Sequence, residues 1–170
     1  MLLDGVGAGA LADTLVDGLQ AAGRVPLRVC AADFWRPAGV RFEYGREDEQ
    51  AFREVWLDAG ALRREVFEGD GSYLPSLWDP VRDRSTRAVR RPVPPRGVLL
   101  VDGVLLLGRD LPADLTVHLA LSVAALRRRG VPEWQLPAFA HYAAQVRPEQ
   151  HCDLLVRAED PLRPAVALRR

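Results

Sequence analysis

The sequence predicts an α/β fold built on a mostly parallel sheet. Three observations carry that expectation. Short apolar runs alternate with segments of helical period. A glycine-rich turn joins the first run to the first helical segment. Acidic residues stand at the ends of the runs, where sheets of this kind bind ligands. The chain has 170 residues, of which 48% are hydrophobic and 27% charged. That is the length of one domain, taken as residues 1–170, with enough apolar material for a core.

Met1–Leu3 reads as the end of a first strand, truncated to three residues, and Gly5–Gly9 as the turn. Leu11, Leu15, Leu19 and Ala22 recur at helical spacing, which predicts a helix over Ala10–Ala22, stopped by Gly23. Pro26–Ala31 is a second strand. Asp48–Phe67 holds two short helices, with Phe52, Val55 and Trp56 on one face and Leu62 and Val66 following. Asp70–Gly97 is rich in Pro and Arg and reads as loop. Gly97–Leu107 begins as a buried strand, and Leu115–Leu121 is another. Ala124–Arg129 and Glu133–Val146 are helical, and Asp153–Val156 closes the pattern as a short strand.

Composition excludes several functions. Formal net charge is zero, from 23 basic and 23 acidic residues, which speaks against a general nucleic-acid binder. Every basic residue is Arg, so no chemistry that needs a lysine ammonium can run on this chain. The longest apolar stretch, Val98–Leu107, is interrupted by Asp102 and too short to span a bilayer. Cys30 and Cys152 have neither disulfide-framework nor metal spacing, and a reducing cytoplasm is the expected compartment. His118 falls in a buried strand pattern, and His141 and His151 lack ligand spacing, so no histidine metal site is expected.

Four segments carry candidate chemistry. DGVGAGALADTL places a glycine turn before a helix, where backbone N–H groups face a phosphate. It is compatible with a P-loop, with the dinucleotide fingerprint G-x-G-x-x-G/A through Gly5, Gly7 and Ala10 with Asp33 as ribose acid, and with a ligand-free tight turn. The long insertion between Asp33 and Val98 weakens the dinucleotide alternative. AADFWRP offers Asp33, Phe34, Trp35 and Arg36 to a planar base and a ribose, or packs as a corner. VLLVDGVLLL ends a buried run in Asp102, the arrangement in which a carboxylate holds Mg²⁺, or simply turns there. Arg127, Arg128 and Arg129 either clamp phosphates from a short helix or lie solvated at its C-terminus.

Taken together, these segments resemble the uridine kinase family of P-loop kinases, especially its short bacterial members. DGVGAGALADTL is similar to the family's DGxxGxGKTTLADxL with residues deleted, ADFWRPAGVRFEYG to its DDFHRPRxxRYxRG, and GVLLVDGVLLL to its Walker B strand. HYAAQVRPEQHCDLLVRAEDP is similar to its YxxxVRPxxxADxVVxNxDP. The resemblance spans nearly the whole chain. It implies a three-layer P-loop kinase-like sandwich with a five-stranded, mostly parallel sheet and the first strand central. It also implies ATP and Mg²⁺ as cofactors, and transfer of the γ-phosphoryl group to a nucleoside 5′-hydroxyl. On it, Gly5, Gly7, Gly9, Ala10 and Arg127–Arg129 would contact phosphate. Asp33, Phe34, Trp35 and Arg36 would hold the nucleoside, and Asp102 the metal.

The departures fall on the catalytic positions. Where the family has Lys and then Thr or Ser after the glycines, this chain has Ala10 and Leu11, and the family's base position falls on Ala32, with Asp33 the nearest acid. A positioned base contributes about 10²–10⁴-fold. A cation on the transferring group contributes about 10³–10⁵-fold. The expectation is therefore a catalytically degenerate uridine kinase-like protein that binds a nucleoside or nucleotide. The alternatives are an active kinase using Arg36 or Arg127–Arg129 in place of Lys, a dinucleotide-binding module, and a homo-oligomer or partner of an active paralogue docking through Trp56, Trp78 or Trp134.

Overall fold

The computed structural model describes residues 1–160 and 163–168. Its main sheet has six strands: β1 (Leu2–Asp4), β2 (Val25–Cys30), β3 (Gly97–Gly103), β4 (Thr116–Ala120), β5 (Leu154–Arg157) and β6 (Ala165–Leu168). From one edge to the other they run β2, β3, β1, β4, β5, β6. The first five are parallel, and β6 returns antiparallel to β5 with Val166 opposite Val156. The expected five-stranded parallel sheet is thus present, with a sixth strand added at its edge. All four residues of β6 are exposed, so no buried alternation marks it in the sequence.

The short first strand is central, as the resemblance implied. Leu2 pairs with Val101 on one side and Thr116 on the other. The pleat divides its side chains between two cores. Leu3 joins Ala8, Ala12, Val117 and Leu119 beneath the helix α1 (Ala8–Ala21). Leu2 joins the larger cluster on the opposite face, with Val29, Phe34, Phe52, Trp56, Leu106 and Tyr142 among its members. The helices over that face include α3 (Glu49–Glu54) and α6 (Leu136–Gln145), so the sandwich has three layers. Short helices α2 (Ala38–Arg41), α4 (Ala59–Leu62), α5 (Val123–Arg128) and α7 (Pro148–His151) complete the set.

Most element boundaries fall within a few residues of expectation. Gly23 follows α1 with φ +67°, the left-handed stop a glycine supplies. α4 runs on into a π-helical turn over Arg63–Phe67. The Arg/Pro-rich stretch after Asp70 is not plain loop. It folds into two antiparallel pairs of two residues each, Ser72–Tyr73 with Arg91–Pro92 and Trp78–Asp79 with Arg84–Ser85. Among the described residues no helix is long and apolar enough to cross a membrane.

Candidate functional site

With β1 central, the chain crosses over to opposite sides of it, and the carboxyl end of β1 is the crevice where such sheets bind ligands. The glycine turn sits there. Gly5 has φ +121° and Gly7 φ +97°, conformations that glycine adopts without steric cost. The turn is tightly seated: a Cβ on Gly5 would lie 2.7 Å from the Leu119 carbonyl oxygen. Gly5 N–H donates to the Gly103 carbonyl at 2.8 Å, and Ala8 and Leu11 N–H groups donate back to Gly5 and Gly7. The amides of Gly7, Gly9 and Ala10 have no backbone acceptor among the described residues. They are the unsatisfied donors of a helix N-terminus and face where an anion would lie.

The three arginines after β4 separate into different roles. Arg127 is turned outward and forms a two-pronged pair with Glu133 at 2.8 and 3.0 Å. Arg128 approaches Glu159 at 3.7 Å on the surface. Both belong to the surface rather than to a phosphate clamp. Arg129 alone reaches the glycine turn. Its guanidinium donates to the Val6 carbonyl at 3.3 Å and the Ala158 carbonyl at 2.7 Å, and one nitrogen would lie 2.7 Å from a Cβ on Gly7. Side-chain bulk at Gly7 would displace it.

Asp102 is placed differently from the metal-ligand expectation. Its carboxylate is nearly buried and accepts a hydrogen bond from Arg28 at 2.7 Å. Arg28 comes from the middle of β2 and also bonds Asp13 on α1 and, at 3.3 Å, the Gly9 carbonyl. Burial opposes the Arg28 charge, but the two carboxylates outweigh it and hold its pKa above the ordinary value. A guanidinium thus stands against the acid that would hold Mg²⁺. Leu11 supplies no hydroxyl ligand. The residues do not fit Mg²⁺.

The nucleoside-binding candidates divide as well. Phe34 is fully buried in the core, so it supports the corner and cannot touch a ligand. Arg36 is exposed and turned toward Asp58 at 4.0 Å. Trp35 is half-buried, stacked edge-on against Trp56 at 5.0 Å with the Arg41 guanidinium near its ring. It lines a cavity of about 240 Å³ with Val6, Ala32, Gly103, Gln135 and Phe139. Asp33 sits in the 3₁₀ turn at the end of β2. Burial, and then the charges of Asp79 and Asp102, push its carboxyl above the usual aspartate value. Ala32 offers no base to this cavity. The three tryptophans proposed for docking are all packed: Trp56 in the core, Trp134 against Phe52 and Trp56, and Trp78 half-buried with its ring nitrogen on Asp83.

Sequence reasoning missed Arg28 and a second polar cluster. Asp4, His118 and Tyr142 meet beneath the glycine turn, with Asp4 completely buried. His118 is buried as expected, but it is not merely packed, since it is bonded to a carboxylate. The available signal was a polar residue inside each of two apolar strand runs, Arg28 in Pro26–Ala31 and His118 in Leu115–Leu121.

No protein-family model matches the sequence, and no curated protein matches it. A search of solved structures does return matches. One is described as a possible uridine kinase from Bacillus stearothermophilus, with TM-score 0.73, 16% sequence identity, and 91% of this chain and 84% of that chain covered. At that identity the match establishes a P-loop kinase-like fold. It agrees with the strand order, which also removes the dinucleotide alternative. The Rossmann and flavodoxin-like orders both pair the first strand with the second, whereas here β3 lies between them. Asp33 therefore does not end the strand next to β1.

Proposed function

We propose that this chain is a uridine kinase-like nucleotide-binding protein in which fast phosphoryl transfer has been lost. The observation that carries the reading is the internal pairing of Asp102 with Arg28. The acid of the third strand is committed to a guanidinium, the glycine turn is followed by Ala10 and Leu11, and Ala32 stands where a base would be needed. What remains suits binding. The free amides of the turn and the Arg129 guanidinium favour an anionic oxygen, and the cavity beside Trp35 has the flat apolar wall that suits a nucleobase. Neither Cys30 nor Cys152 is part of a disulfide, in keeping with a reducing cytoplasm.

Calorimetric titration with ATP, with and without Mg²⁺, and a coupled assay with ATP and uridine or cytidine test this. ATP binding is expected to be insensitive to Mg²⁺, with turnover below ~0.1 s⁻¹ against the ~1–100 s⁻¹ of working kinases. Arg129→Ala is expected to weaken ATP at least tenfold and to leave uridine binding unchanged. Turnover above that limit would refute the loss of activity. It would favour the second reading, for which the placement of Arg129 over the turn speaks: a kinase with this arginine in the lysine's role. In that case Arg129→Ala abolishes turnover.

A further inference from the structure

A second, larger cavity lies on the other side of Val6 and Phe139, between the sheet and helices α6 and α7. Its volume is about 440 Å³, within the roughly 300–1,000 Å³ of small-molecule sites. Leu105, Leu126, Phe139 and Ala143 give it apolar walls. His118 lines it too, with a side chain only 10% exposed. On β4 its neighbours Val117 and Leu119 pack into the α1-side core, so the imidazole belongs to the opposite face, which the cavity occupies.

The imidazole is held in one orientation. Nδ1 lies 2.7 Å from Asp4 Oδ2. The same carboxylate accepts the Tyr142 hydroxyl on Oδ2 and the Leu106 N–H on Oδ1, each at 2.8 Å. Tyr142 Oη in turn accepts the Leu107 N–H at 2.9 Å. Burial, and then the Asp4 charge, push the phenol far above its ordinary value, so it stays a donor. Because Asp4 already accepts from the phenol and the Leu106 amide, the ring donates to it from Nδ1, and with its proton there an imidazole presents the lone pair of Nε2 to the cavity. Nε2 has no hydrogen-bond partner among the described residues, and it is not among the buried side-chain atoms lacking one. It is an accessible acceptor facing the apolar walls, and Arg147, Glu149 and Gln150 also line the cavity.

We infer that this cavity is a binding site for a small neutral ring bearing one hydroxyl, which donates to His118 Nε2. The acceptor character of Nε2 selects an O–H donor. The Asp4 carboxylate directly behind Nε2 disfavours an anion at that atom, while at the rim Arg147 and Glu149, the latter paired with Arg157 at 3.1 Å, offset one another. The walls and Phe139 favour a ring over a polyol. The site goes beyond the nucleotide reading and does not depend on it.

The test uses the full chain with phenol, anisole and benzoate, read by the ¹⁵N resonances of the His118 ring and by ligand titration. Phenol is expected to shift Nε2 saturably in the millimolar range that suits so few non-hydrogen atoms. Anisole has the same ring but no donor, and is expected to bind about threefold to tenfold more weakly. Ala143→Trp, at an exposed α6 position on the cavity wall, should abolish the phenol shift while leaving the thermal midpoint and ATP binding unchanged. His118→Phe should erase the preference for phenol over anisole. If that variant does not fold, the comparison in the unaltered protein still decides. Equal or tighter binding of anisole or benzoate overturns the inference. So does a phenol response confined to the Trp35 cavity, or no saturable shift.

Discussion

Asp102 and Arg28 show how a single side chain changes the reading of a site. The acid was visible at the end of an apolar run, but its counter-ion comes from a strand 74 residues away in sequence. Nothing local to VLLVDGVLLL announces that partner. Asp102→Ala removes one of the two carboxylates that hold Arg28, whose Nε already lacks a partner. The expected loss is about 1–3 kcal/mol, the usual cost of an unmatched hydrogen bond to a charged group, measurable by urea unfolding. Asp33 makes the opposite case. Its carboxyl is pushed above the ordinary 3.8 by burial and neighbouring acids. The folded state therefore binds this proton more tightly than the unfolded chain does, and ionising it costs stability. That cost is absent below pH 3.8, grows as pH rises through the elevated value, and is complete above it. Asp33→Asn is expected to raise the thermal midpoint at pH 7, with the gain fading to nothing as the pH falls below 3.8. A gain independent of pH would contradict the assignment.

Among the elements, the glycine turn was the most legible, because only a few backbone shapes connect a buried strand to a helix and most of them need glycine. Gly5→Ala meets both obstacles at once, a positive φ and a Cβ 2.7 Å from the Leu119 carbonyl oxygen. Its expected cost is about 1–3 kcal/mol, with a larger loss of ATP affinity than of uridine affinity. Helix α1 was readable from its apolar period, and strands β2, β3 and β4 from short apolar runs. Phe34 was not placed correctly: an aromatic in AADFWRP has the same composition signal whether it faces a ligand or a core, and only the 3₁₀ turn decides. The short pairs after Asp70 escaped notice because two-residue strands have no period to detect. β6 escaped because its exposed Ala, Val and Leu side chains carry no inward face. For the same reason Val166→Lys should alter stability by no more than about 0.5 kcal/mol.

At the scale of the molecule, strand order settled what the motifs could not. Gly5, Gly7, Ala10 and Asp33 satisfy a dinucleotide pattern along the chain, yet β3 separates the two strands that pattern requires to be adjacent. Adjacency is a property of the whole sheet, and no local spacing encodes it. The central position of β1 has a consequence for how the chain assembles. Leu2, Leu3 and Asp4 find their ladder partners only at residues 101–103 and 116–118, so this strand is obliged to wait for segments about a hundred residues downstream. Closing loops of that length precedes any reward from pairing. In refolding followed by pulsed hydrogen exchange, amide protection in the opening segment should therefore appear with, and not before, protection of the strands that flank it.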